Sequence, residues 1–200
     1  ELDPRAGGAV PSTKGTLVLF YKQSSTPAAG QEADLFTTRE ENASGATRHK
    51  FAVDSNNALV MSDSEGFSSA TSSPQTFSAT QFNALAFRWN SQAANLAIFK
   101  DGTQVGLNTF AAFGSFDPTV NKFVVGNSPA GTDNGTNGSG ARGTIDEMAL
   151  FGRDLTNAEI ADIAARGMLP AFEEVFSSYT YTLDARGMRT KVVEHDGRTV

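Results

Sequence analysis

Apolar residues along the chain come in short runs of strand length, and clusters of Gly, Asn, Asp and Ser separate them. Residues 16–22, TLVLFYK, form a continuous run that predicts a strand buried on both faces. Segments 34–39 and 48–53 predict short strands around the polar turn ENASG, and 58–62 a further strand after the Asn56-Asn57 turn. The stretch SEGFSSATSSPQTFSATQ is low in charge and rich in small polar residues, which predicts a meandering surface connection. FNALAFRWN then sets Leu85, Phe87 and Trp89 against Ala86 and Arg88, a strand with one buried face. Its neighbour NLAIFKDGTQVG carries Asp101-Gly102 between two apolar runs, a hairpin signal because that turn needs positive φ. Residues 121–126 predict one more strand, and 127–142 a loop of Gly, Asn, Thr and Ser.

Residues 143–167 read as a strand, a corner and a capped helix. Ile145, Glu147, Ala149 and Phe151 share one phase, and Asp146, Met148 and Leu150 the other, so the two acids are expected on opposite faces. Thr156 stands three residues before Glu159, the spacing of a capping box, and Leu155 and Ile160 fit the accompanying hydrophobic staple. Ile160, Ile163 and Ala164 make an apolar helix face, and Gly167 is the expected left-handed stop.

The pattern G-x-I-D-E, an aliphatic-aromatic strand and then L-T-x-x-E-I resembles the last core strand and helical turn of LamG-like jelly rolls, in the concanavalin A-like lectin and glucanase superfamily. Three earlier stretches are similar to that family in the same order. They are the run at 16–22, the aromatic strand ending at Trp89 with its D-G hairpin, and the step ending in Gly126-Asn127. Asn90 stands where the family has Asp after the Trp. The resemblance covers residues 16–168 and implies an all-β fold: a two-sheet antiparallel β-sandwich, or jelly roll, with one short C-terminal helix. Evenly spaced short strands point to such a sandwich independently.

Residues 1–15, with Pro4, Pro11 and a Gly-Gly pair, read as a lead-in, and 169–200 as a linker and a β-hairpin-like tail. Residues 176–200 are similar to a single RHS (YD) repeat, with Leu183 in place of the Tyr before Asp184. One such unit buries its faces only by stacking on others. That resemblance implies neighbouring domains in a longer bacterial surface or toxin-delivery protein. The alternative is a hairpin closed by Asp196-Gly197.

A net charge of −6 without a basic stripe argues against nucleic acid as a partner. No apolar run is long enough for a bilayer span, so membrane insertion is not expected. The absence of cysteine excludes disulfides, thiol catalysis and thiolate zinc sites. No leader pattern opens the chain at Glu1, so any signal peptide is expected to be removed or to lie outside this sequence. A secreted or cell-surface bacterial protein is the expected context.

Glycosidases of this superfamily align carboxylates along one strand to flank the scissile bond. The pairs Asp146-Glu147, Glu40-Glu41 and Glu173-Glu174 are adjacent and therefore point to opposite faces. His49 and His195 lie in no H-E-x-x-H or triad context and are expected to be exposed. The G-x-G-x-x-G match at 138–143 leads into a strand, whereas a dinucleotide site needs a helix there. The expected protein is therefore not an enzyme but a carbohydrate- or cell-surface-recognition module.

Its candidate ligand contacts are Asn127, Asp133, Asn134 and Asn137, with Arg142 as a charged donor on the rim. Trp89 is assigned to the core by its phase. The family resemblance implies calcium, with Asp146 as ligand and Asp3 as a substitute partner; otherwise Asp146 bonds backbone at the strand start. Two other readings stay open: a structural or protein-interaction module of an RHS-repeat protein, and a glycoside hydrolase.

Overall fold

The structure, a computed structural model, describes residues 14–40, 47–63, 69–109, 120–126, 140–168, 179–183 and 189–194. The continuous apolar run forms β1 (Lys14–Gln23), an interior strand on which Thr16 to Leu19 and Tyr21 are at most 1% exposed. It pairs antiparallel on one side with β6 (Asn83–Asn90) and on the other with β10 (Gly143–Phe151). β7 (Asn95–Lys100) and β8 (Thr103–Asn108) complete a sheet of order β10-β1-β6-β7-β8. The second sheet contains β2 (Glu32–Glu40), β3 (Thr47–Asp54), β4 (Ala58–Asp63), β5 (Ser69–Pro74) and β9 (Val120–Val125), in the order β5-β4-β3-β2-β9.

The chain divides into two compact units, Glu1–Ala165 and Arg166–Val200. In the second, β11 (Tyr179–Leu183) and β12 (Arg189–Glu194) form a two-stranded antiparallel sheet.

The core lies between the two five-stranded sheets. One sheet contributes Leu17, Leu19, Tyr21, Leu85, Phe87 and Trp89; the other contributes Leu35, Phe36, Phe51, Val53, Leu59 and Met61. Phe51 bridges the layers, with ring centroids 5.0 Å from Phe87 and 6.2 Å from Trp89. Fully burying an aliphatic or aromatic side chain contributes about 1.5–3 kcal/mol, so this stack is the main source of stability. Trp89 is 1% exposed, which places its ring in the core as its phase requires.

The structure corrects two expectations. β5 lies within the stretch expected to be a surface connection. Its inward residues are Ala70 and Ser72, too small and polar to announce a strand. Ser72 is nonetheless buried, because its hydroxyl accepts the Leu59 amide at 2.9 Å and donates to the Ser73 carbonyl at 2.6 Å. His49 is buried at 2% exposure rather than exposed. Its Nδ1 lies 2.9 Å from Thr38 Oγ1, which also accepts the His49 amide at 3.0 Å, so a polar partner compensates the burial. His195 lies outside the described residues.

Helix α1 (Asn157–Arg166) follows the predicted cap: Thr156 donates its amide to Glu159 at 2.7 Å, and Glu159 donates its own to Thr156 Oγ1 at 3.2 Å. Leu155, Ile160 and Ile163 are buried. The helix packs on the outer face of the β10-β1-β6-β7-β8 sheet. Arg88 there donates to the Leu155 carbonyl and to Asn157, both at 2.8 Å. Thr16 Oγ1 accepts the Leu155 amide at 2.9 Å. At the β7–β8 turn Asp101 and Gly102 have φ of 49° and 78°, the left-handed pair expected there, and a Cβ on Gly102 would sit 2.9 Å from Ala161 Cα. Gly167 ends the helix with φ of 84°.

Hydrogen bonds from Arg153 and from the Thr156 amide hold the Glu159 carboxyl down at about 2, against the usual 4.5. Because the folded value is depressed, this contribution to stability is present above the usual value. It fades as pH falls from there towards about 2. Thermal unfolding of Glu159→Gln should show a smaller loss of Tm across that acid range than the parent. Equal losses would rule the ion pair out. Gly143 faces the β1 backbone, and a Cβ there would approach the Lys22 carbonyl and lie 2.8 Å from the Tyr21 ring. Gly143→Ala should therefore destabilise by about 1–3 kcal/mol, read as a lower urea midpoint.

Candidate functional site

One end of the sandwich collects the end of β1, the start of β2, the β3–β4 and β7–β8 turns, and the start of β10. The segment between β9 and β10 is closed there. Gly126 donates its amide to the Leu35 carbonyl at 2.9 Å, and Ala141 donates to the Gly126 carbonyl at 2.8 Å. Residues 126 and 141 are thus hydrogen-bonded neighbours, and the loop expected to carry ligand contacts springs from this stem. Asn127, Asp133, Asn134 and Asn137 themselves lie outside the described residues.

Arg142 follows the stem and is exposed. Its φ is 52°, in the left-handed region that costs a non-glycine residue about 1–3 kcal/mol and persists only where the surroundings impose it. Here they do. Its carbonyl accepts the Ser24 amide and the Ser24 hydroxyl, both at 2.8 Å. One step back, the Tyr21 hydroxyl donates to the Ala141 carbonyl. The Arg142 guanidinium donates through Nη2 to Gln31 Oε1 at 2.9 Å. Its charged fork therefore sits on the rim at a defined place, with geometry suited to a carboxylate or another planar acceptor. Burial pushes the Tyr21 phenol well above its ordinary pKa, so the hydroxyl is a proton-bearing donor at any physiological pH.

From this corner a polar strip continues along the outward phase of β2. Glu32 pairs with Lys50, and Asp34 and Thr37 are buried at 2% and 0% exposure. The Thr37 hydroxyl is without a hydrogen-bond partner among the described residues. The signal for this strip is present in the sequence EADLFTTRE, whose polar residues alternate with Ala33 and Leu35. It is obscured because the register slips between Asp34 and Phe36, so that Leu35 and Phe36 both enter the core. An exposed aromatic, Phe82, stands immediately before β6 with the Lys22 ammonium 5.0 Å from its ring centroid.

Asp146 and Glu147 are not arranged as a regular strand would place them. The β1–β10 register passes from Leu19–Met148 to Phe20–Asp146, so Glu147 is an extra residue, with φ of 43°. Ile145, Met148 and Leu150 pack against the core, while both acids are exposed. The bulge thus corrects the expected phase of the strand: Met148 and Leu150 lie on the core side with Ile145 instead of opposite it. Asp146 Oδ1 accepts the Glu147 amide at 3.0 Å, which gives this carboxylate a backbone role. Among the described residues no group of three or more His, Asp or Glu gathers around a common point, and Asp3 lies outside them.

Two antiparallel five-stranded sheets with a helix against one outer face define a lectin-like jelly roll. The chain belongs to the concanavalin A-like lectin/glucanase superfamily, whose family model matches residues 5–161. Among curated proteins, no sequence matches it.

Solved structures of similar fold include the CBM40 of Ruminococcus gnavus IT-sialidase bound to α2,3-sialyllactose. It is 17% identical with a TM-score of 0.61, over 76% of this chain and 83% of that one. A Trypanosoma rangeli sialidase in complex with 2,3-difluoro-KDN is 16% identical with a TM-score of 0.54, over 76% of this chain but 22% of its own. The SAP-like pentraxin of Limulus polyphemus is 12% identical with a TM-score of 0.52, over 76% and 70%. At these identities the likeness is one of fold.

If the Asp146–Glu147 bond supports the bulge, Asp146→Ala should cost about 0.5–1.5 kcal/mol, while Asp146→Asn, which keeps an acceptor oxygen, stays near the parent. Chemical denaturation separates the two. Equal losses would show that charge, rather than the hydrogen bond, matters there.

Proposed function

We propose that this protein is a non-catalytic carbohydrate-recognition module of a secreted or cell-surface bacterial protein, taking its glycan at the loop end of the sandwich. The observation that carries the reading is Arg142, an exposed guanidinium on a strained backbone that the stem braces from both sides. A preorganised charged donor beside a polar loop is what recognition of an acidic sugar requires, since less ordering entropy remains to be lost on binding. The sialyllactose bound to the CBM40 of similar fold supports an acidic glycan as the class to test first.

Calcium enters this proposal through Asp146 alone. An ion there would need further donors from outside the described residues, Asp3 among them. A structural or protein-interaction role in a larger RHS-like protein is the second reading. It is favoured by the antiparallel pairing of Tyr179–Leu183 with Arg189–Glu194 in a unit of its own.

Titration with sialyllactose and with lactose tests the first reading. The sialylated sugar should bind, and Arg142→Ala should weaken it by about tenfold or more, the worth of a charge-assisted hydrogen bond. No binding of either sugar, or equal binding by parent and variant, would defeat it. Release of product from either sugar would overturn the non-catalytic assignment. The same samples melted with calcium and with chelator should differ in Tm if Asp146 holds an ion, by mass action. Identical curves would leave Asp146 with its backbone role.

A further inference from the structure

Tyr21 lies on the inward phase of β1 and is wholly buried, its ring edge-on to Phe77 with centroids 5.8 Å apart. A phenylalanine would fill the same space. The hydroxyl does something a phenyl ring cannot: it reaches out of the core to the carbonyl of Ala141, the residue before Arg142.

Four hydrogen bonds then hold the Ala141–Arg142 peptide and its flanks. Tyr21 takes the Ala141 carbonyl, the Gly126 carbonyl takes the Ala141 amide, and Ser24 takes the Arg142 carbonyl through both its amide and its hydroxyl. Left to itself, an arginine would leave the left-handed region for the extended or right-handed one, and its side chain would swing with the backbone. Gln31, which receives the guanidinium at 2.9 Å, would then lose its partner.

We propose that Tyr21 and Ser24 are positioning residues for ligand recognition: anchored in the β-sandwich, they hold Arg142 in its left-handed conformation and thereby set the aim of its guanidinium. The proposal rests on the glycan reading for its ligand but not for its geometry. Tyr21 acts through Arg142 and does not itself touch the glycan. Its contribution should therefore disappear when the guanidinium is gone.

The test uses the full chain with Tyr21→Phe, Ser24→Ala and Arg142→Gln, alone and combined, and reads both sialyllactose affinity and amide hydrogen exchange. Tyr21→Phe should weaken sialyllactose by about three- to tenfold, the range of one neutral hydrogen bond. It should accelerate exchange at the Ala141 and Ser24 amides and leave those of Leu19 and Phe87 protected. In the Arg142→Gln background, Tyr21→Phe should add less than about twofold, because a residue acting through another is not additive with it. Parent-like affinity in Tyr21→Phe, or a full additive loss in the double variant, overturns the positioning role.

If the parent binds no sialyllactose, the glycan reading fails, and exchange alone judges the brace. Faster exchange at Ala141 and Ser24 upholds it, and unchanged exchange overturns it. Ser24→Ala gives a second variant outside the core, where a loss through misfolding does not arise.

Discussion

The ladder between β1 and β10 is the constraint on which the rest depends, because it joins the start of the domain to its end and leaves little freedom for what lies between. Eight residue pairs run from Thr16–Phe151 to Gln23–Gly143. Closing so long a loop carries an entropic cost that only non-local burial can offset. β1 supplies that burial on both faces. Leu17, Leu19 and Tyr21 meet the second sheet, while Thr16 and Val18 face outward, where Thr16 bonds to Leu155 ahead of the helix. The same ladder brings the Arg142 carbonyl to Ser24 and the Ala141 carbonyl to Tyr21. Fold closure and the shaping of the rim are therefore one event.

Of the described non-glycine residues with positive φ, Asn57, Ala94 and Asp101 sit in turns, and two lie on β10 and its approach. Arg142 and Glu147, five positions apart, both have positive φ without being glycine. Their causes differ. Glu147 is the extra residue of a bulge, and its amide is satisfied by the adjacent Asp146, so that strain serves the strand itself. A bulge also roughens the outer edge of the sheet, which discourages pairing with another chain. Arg142 serves no strand, since its side chain is exposed and its backbone is held by residues from β1 and the loop after it. Strain that the surroundings impose around an exposed charged side chain is the kind associated with recognition sites.

Much of the architecture was legible in the chain. The Asp101-Gly102 turn, the Thr156–Glu159 cap, the stop at Gly167 and the burial of Trp89 each rest on a local rule, and each is present in the structure. What escaped detection did so for identifiable reasons. β5 has only Ala70 and Ser72 to bury, so its hydrophobic signal is faint. His49 looked like a surface residue because its compensating partner, Thr38, lies on another strand. The polar strip of Glu32, Asp34 and Thr37 was concealed by a slip in register, and a bulge at Glu147 moved Met148 and Leu150 onto the core side with Ile145.

Local pattern, turn chemistry and capping sufficed to determine that this protein is a β-sandwich with a capped helix, because those features are set by residues within a few positions of one another. Arg142 was named as a charged donor on the rim only through the jelly-roll resemblance. Its left-handed backbone, its brace from Tyr21 and Ser24, and its bond to Gln31 were decided only by the tertiary structure. Those contacts span more than a hundred residues of chain. They exist only once the β1–β10 ladder has closed.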